Sequence, residues 1–289
     1  MRRQVLLRAA AAACMVPMVR PASAQSVKMR VGLTAVILAD QAAFLARWSD
    51  YLSRRVGVKV EFSSRDAYQA ILEPLFAGEF DAAWICGYPF VRYEPQLRLL
   101  AVPVYQGQPR YQSYLIRAAA SAGPEAVQGW ADLRGKVFAY SDPLSNSGWL
   151  VAQGQLRDAG LAPTELKKTF FAHGHRNVAE AVAARLADAG SIDGYVWETM
   201  RLQGMRAAME TTVVWKSELH GFPPLVTPAR ARHAYAPALQ RALLGMPRDE
   251  EGRALLQALN LDGFVAGSPA LFDSIRRLAR TVPGSGVDA

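Results

Sequence analysis

From Met29 onward, short apolar runs of strand length alternate with segments of helical spacing, and the cycle starts twice. Residues 29–33, 58–62, 80–85 and 97–104 read as strands of a first cycle. Between them, 40–55 sets Ala43, Leu45, Trp48 and Leu52 at helical spacing. Asp66-Ala-Tyr-Gln69 has the form of a capping box opening a helix that kinks at Pro74 and ends at Gly78. A second cycle begins at Tyr111, with strands expected at 112–117, 136–140, 169–172, 192–197, 212–215 and 223–226. A loop and short helix are expected over 121–132, and another helix after Gly148, stopping near Gly160. Asn177-Val-Ala-Glu180 reads as a second capping box, ahead of Val178, Ala181, Val182 and Leu186 on one helical face. Helices rich in Ala, Leu and Arg end the chain. The alternation implies an α/β fold with parallel sheets covered by helices, in two units of ordinary domain size. No fixed repeat period points to a solenoid or propeller.

Composition narrows the function classes. Hydrophobic residues make up 51% of the 289 positions and charged ones 20%, enough for a packed core. The net charge of +8 raises a nucleic-acid reading, yet Arg2, Arg3, Arg8 and Arg20 all precede Gln25 in a stretch without acids. The other basic residues are scattered, so no nucleic-acid partner is expected. Residues 1–24 read as an export signal: Arg2-Arg3, the Ala-rich run 9–19, then Ala22-Ser23-Ala24 before a cut at Gln25. That run is too short to span a bilayer. General and twin-arginine export both stay open, and an amphipathic N-terminal helix is the plainer alternative. After the cut only Cys86 is left, so no internal disulfide can form. It follows an apolar run and reads as a buried thiol at a strand end, with a catalytic cysteine as the alternative.

In α/β sheets, ligands bind beyond the carboxyl ends of strands. Asp142-Pro-Leu-Ser145-Asn146-Ser147-Gly148 lies at such a place. Hydroxyls and free N–H groups at a helix start suit a tetrahedral oxyanion, although an over-endowed N-cap would look the same. His173-Gly-His175 follows the strand 169–172. One imidazole could donate to an anion, the pair could hold a metal, or both could be structural. With no Cys nearby and His220 and His233 at no ligand spacing, no metal is expected. Tyr68 and Tyr88 are candidate phenol donors, and Trp149 and Trp197 candidate pocket walls, with core packing as the alternative. Glu198, read as following the strand 192–197, could meet a ligand amine or merely cap a helix.

The run Asp132-Leu-Arg-Gly-Lys136, then Asp142-Pro-Leu-Ser145-Asn146-Ser147-Gly148, Leu156 and Gly160, resembles the phosphonate, phosphite and phosphate-binding proteins of ABC importers. Their pattern is D-L-x-G-K followed by D-P-x-S-T-S-G. Gly174-His175, Ala181-Val182 and Ile192-Asp193 are similar to a second family segment. Tyr68, Phe80-Asp-Ala-Ala-Trp84 and Phe222-Pro-Pro-Leu-Val226 extend the likeness over most of 29–226. The resemblance implies a two-lobed type 2 periplasmic binding protein fold, with two crossing strands as a hinge near 111–117 and 212–226. Lobe one would comprise 25–110 and 222–289, and lobe two 111–221. Ser145, Asn146, Ser147 and His175 would contact the anion from lobe two, with Tyr68 and Tyr88 facing it from lobe one. Asn146 departs from the family's Thr. The implied protein is a monomeric periplasmic binder without cofactor or catalytic residues, delivering a small anion to an ABC permease. Three alternatives remain at this point: a sulfonate or other organic anion as ligand, a sensor for a membrane receptor, and a hydrolase using Ser147 or Cys86 with His175. Against the last, no Gly-x-Ser-x-Gly elbow, Walker loop or dinucleotide fingerprint is present.

Overall fold

The computed structural model describes residues 28–34, 42–121, 123, 125–230 and 234–287. The expected export signal at 1–24 and His233 lie outside the described residues.

The first sheet starts with β1 (Lys28–Leu33), which sends Met29, Val31 and Leu33 inward. It pairs in parallel with β2 (Lys59–Ser64) and β3 (Ala82–Trp84). α1 (Ala42–Val56) connects β1 to β2 and buries Phe44, Trp48, Tyr51 and Leu52, one stripe at helical spacing. Trp48 stacks on Phe62 at 4.6 Å and meets the edge of Trp84 at 6.0 Å, which fixes α1 on the sheet. α2 (Gln69–Phe76) buries Ile71, Leu72 and Leu75, and α3 (Gly87–Arg92) follows β3. β4 (Leu97–Val104) has the bounds expected from its apolar run.

The chain then crosses through β5 (Arg110–Tyr111) into the second sheet, made of β6 (Ser113–Ala118), β7 (Val137–Tyr140), β8 (Lys168–Phe171), β9 (Ala189–Asp193) and β10 (Thr211–Lys216). Its order is β10-β6-β9-β7-β8. Around it lie α4 (Val151–Asp158), α5 (His175–Ala183), α6 (Gly194–Leu202) and α7 (Arg206–Met209). The return passes through β11 (His220–Gly221), which pairs antiparallel with β5, so both passages between the sheets run side by side. Phe222 lies against the Tyr111 ring at 5.7 Å, and Trp84 Nε1 donates to the Pro223 carbonyl. β12 (Leu225–Pro228) inserts between β4 and β3, and β13 (Gly263–Val265) adds the far edge. α8 (Ala236–Gly245), α9 (Glu250–Ala258) and α10 (Asp273–Thr281) complete the chain. α10 packs on α3 and also reaches α4, where Gly154 leaves room for Leu278. The result is two α/β lobes joined by two crossing strands.

Several expectations need correction. The sheets are mixed rather than parallel, because strands entering from a crossing run against their neighbours: β6 against β9 and β10, β12 against β3 and β4. The expected strand 192–197 ends at Asp193, whose carboxylate accepts from the Val196 N–H and starts α6. Trp197 and Glu198 are therefore helical. Neither capping box forms. α2 has Tyr68 at its N-cap with no side-chain cap. α5 begins at His175, so Asn177 lies inside it and donates Nδ2–H to the Ala172 carbonyl. β13 escaped sequence reading because three residues are too few to show periodicity.

Candidate functional site

Two loops at the ends of second-sheet strands meet two segments of the first, at Tyr68 after β2 and Cys86 after β3. After β7, the segment from Asp142 turns into a π-helical stretch, Asn146–Leu150, before α4. Ser145 is its N-cap, with Oγ accepting from the Gly148 N–H at 2.9 Å. A Cβ on Gly148 would fall 1.8 Å from Ser141 Oγ, so glycine alone fits that turn. π turns recur at functional sites because they displace side chains from the regular helical ladder. The Ser147 carbonyl is clamped by hydroxyl donors from two strands, Ser113 on β6 at 2.7 Å and Ser191 on β9 at 2.6 Å. That clamp holds the backbone of the turn and leaves the Ser147 hydroxyl fully buried beside the Tyr111 phenol, with no hydrogen bond of ordinary geometry.

His175 reaches the same place from the start of α5. The left-handed His173 (φ 55°) and Gly174 (φ 150°) make the sharp turn that delivers its ring. Nδ1 accepts from the Asp193 N–H at 3.1 Å, so in the neutral ring Nε2 carries the proton. Nε2 faces the Tyr68 hydroxyl at 3.2 Å. Burial pushes the His175 pKa down to about 3, so the ring is a neutral donor at physiological pH. Asn146 donates its N–H to Cys86 Sγ at 3.2 Å and its Nδ2–H to the Tyr111 hydroxyl at 3.0 Å. Tyr68 donates its own backbone N–H to Asp142 Oδ2. Burial raises the pKa of Asp142, and pushes that of Asp193 up to about 8, so Asp193 is mostly uncharged at pH 7. The Cys86 thiol is pushed up to about 11 by burial and stays protonated, unsuited to nucleophilic attack. The arrangement gathers neutral hydroxyl, amide and imidazole donors where the lobes meet, the equipment of a desolvated oxyanion site rather than of a charge-pairing one.

Of the residues expected from sequence, the structure brings together Tyr68, Ser145, Asn146, Ser147 and His175. The side chains of four others are engaged elsewhere. Tyr88 donates its hydroxyl to the Ser285 carbonyl at 2.6 Å and stacks on Trp149 at 5.8 Å, beside the end of α10. Trp197 donates Nε1–H to Thr211 Oγ1 and lies under the Arg201 guanidinium. Glu198 accepts from the Tyr114 hydroxyl at 3.2 Å. Sequence reading did not single out Tyr111, Ser113, Asp142, Ser191 and Asp193, which hydrogen-bond to the candidate residues. Asp142 stood in the quoted motif and Tyr111 at the expected crossing, whereas the serines carried no signal. A surface groove of about 560 Å³ lined by Arg176, Glu180, Met205 and Arg206 shares none of these residues. Among the described residues no group of three His, Cys, Asp or Glu could hold a metal, and no helix is long and apolar enough to cross a membrane.

Residues 36–272 match the model of the phosphonate periplasmic substrate-binding proteins of ABC transporters. The chain is 30% identical over 181 residues to the phosphate-import protein PhnD of Mycolicibacterium smegmatis, a match covering 58% of this chain and 56% of that relative. It thus spans little more than half of that relative's length. It is 24% identical over 267 residues to the phosphonates-binding periplasmic protein of Escherichia coli, covering 90% of this chain and 78% of the relative. Its fold is similar to the crystal structure of a binding protein component of an ABC phosphonate transporter from Pseudomonas aeruginosa. That comparison has a TM-score of 0.78 at 21% identity and covers 88% of this chain and 85% of the other.

Proposed function

Because the chain belongs to the periplasmic substrate-binding family of ABC phosphonate transporters, we propose that it captures a small phosphorus oxyanion between its lobes and delivers it to an ABC permease. Phosphonate, phosphite and phosphate share the tetrahedral oxygens that the site is equipped to meet. The observation that carries this reading is the Ser147 hydroxyl, fully buried and without a hydrogen bond of ordinary geometry, beside the neutral donors of Asn146, His175 and Tyr68. A buried unpartnered hydroxyl costs about 1–3 kcal/mol, a cost removed when an oxyanion accepts from it. Ser145 shapes the turn, Ser147 donates to the ligand oxygens, the single His175 Nε2–H exchanges the Tyr68 hydroxyl it faces in this structure for a ligand oxygen, and Tyr68 contributes from the opposite lobe. Tyr88, Trp149, Trp197 and Glu198 are not assigned ligand contacts.

Lobe one is taken as 25–110 with 222–289 and lobe two as 111–221, hinging at the paired strands β5 and β11. The chain is exported, cut after Ala24, and works as a monomer outside the cytoplasm. The relatives favour a phosphorus ligand over a sulfonate. The test is a thermal-shift panel on residues 25–289 with phosphate, phosphite, methylphosphonate, 2-aminoethylphosphonate, sulfate and a small sulfonate. A ligand at a thousand times its Kd stabilises by about 4 kcal/mol, so at least one phosphorus compound should shift the melt clearly. A shift with the sulfonate alone would overturn the reading.

A further inference from the structure

We propose that Asp142 is a positioning residue that holds the lobes closed by capping, from the second lobe, the helix of the first lobe that begins at Tyr68. The inference rests on the two-lobed binding reading. α2 lacks a cap of its own, because the sequence suited to a capping box at Asp66 leaves Tyr68 at the N-cap without a side-chain acceptor. The acceptor comes instead from 74 residues away: the Tyr68 N–H donates to Asp142 Oδ2 at 3.1 Å. Asp142 is only 3% exposed, so this bond is made away from water, where its loss is felt most.

The other carboxylate oxygen has a separate task. Oδ1 accepts from the Leu144 N–H at 2.8 Å, a local Asx turn that leads the chain into Ser145. One side chain therefore shapes the anion-binding turn with one oxygen and grips the opposite lobe with the other. Tyr68 is fixed at a second point as well, since its hydroxyl faces His175 Nε2. Opening the lobes separates Tyr68 from both. A residue placed this way need not touch the ligand to alter apparent affinity, because that affinity scales with the population of the closed, binding-competent form.

The two tasks can be separated by substitution. Asp142→Asn keeps an oxygen for the Leu144 N–H, since Asn is equally suited to an Asx turn, but sets an amide NH2 against the Tyr68 N–H. Asp142→Ala loses both bonds and serves as the comparison. Small-angle X-ray scattering on the ligand-free full chain should show Asp142→Asn more open than wild type, with a larger radius of gyration. Apparent affinity for inorganic phosphate or methylphosphonate, read by calorimetry, should fall about tenfold or more. At saturating probe, the scattering should return to the wild-type profile. Ligand-free scattering identical to wild type would overturn the proposal, as would a loss of affinity with unchanged scattering, which would place the effect in the local turn. If neither probe binds wild type, the ligand reading fails, and the ligand-free scattering still decides the role of Asp142.

Discussion

Replacing Ser147 by Ala separates a ligand-binding hydroxyl from a structural one, because the two roles move stability in different directions. The Ser147 backbone is held by Ser113 and Ser191 through its carbonyl, and Ala keeps that carbonyl. The hydroxyl itself is buried and makes no hydrogen bond of ordinary geometry, so removing it takes away a desolvated polar group and no such bond. Ligand-free stability should therefore stay level or rise by up to about 1 kcal/mol, a Tm increase of roughly 2–4 °C at this size. If the hydroxyl donates to a bound oxyanion, ligand affinity should fall by about 1.5–3 kcal/mol, roughly ten- to 150-fold. Melting without ligand and calorimetric titration with it, on the same two proteins, measure both. A destabilised mutant with unchanged affinity would refute the reasoning, since Ser147 would then be a packing residue.

Further outcomes follow from the same geometry. His175 has a folded-state pKa near 3 against 6.5 in the unfolded chain, so its contribution to stability is present above pH 6.5 and is lost as pH falls toward 3. Denaturant unfolding of His175→Gln should show a shallower acid limb than wild type, and an unchanged limb would mean that the ring is hydrated. Asp193 is raised to about 8, so its contribution is full below about pH 4 and is lost as pH climbs through 8. Between pH 6.5 and 8, Asp193→Asn should flatten the fall in stability while keeping the α6 cap, because Asn caps as well as Asp; an equal slope would place the carboxyl in contact with water. Gly148→Ala should destabilise by about 1–3 kcal/mol through the clash with Ser141, and adding Ser141→Gly should recover most of it in the same melts.

The elements most legible in the sequence were those set by local pattern. β4 was readable to the residue because eight consecutive positions are mostly buried and apolar. The Ser145–Ser147 turn and His175 stood out as candidates by their place after strands, although an N-cap and a structural imidazole fitted the same residues, and Ser145 does cap its turn. What depended on distant partners was not legible. Asp66 has every local feature of a cap, yet the Tyr68 amide is taken by Asp142 of the opposite lobe. Trp197 looked like the end of a strand and Glu198 like the residue after it, but Asp193 starts a helix there by accepting from the Val196 N–H. Tyr88 was a plausible phenol donor and Trp149 a plausible pocket wall by type, whereas in the structure the two rings stack on each other and the Tyr88 hydroxyl donates to the Ser285 carbonyl. Ser113 and Ser191 gain their role only through strand register, as neighbours across β6 and β9.

The central claim is that a phosphorus oxyanion is held between the lobes by Ser147 and His175. The most direct test is a crystal structure of residues 25–289 with the phosphorus compound that gives the largest thermal shift. The account predicts ligand oxygens within hydrogen-bond distance of Ser147 Oγ and His175 Nε2, with Tyr68 closing from the opposite lobe. A ligand held by one lobe alone, or seated in the groove beside Arg176 and Arg206, would contradict it.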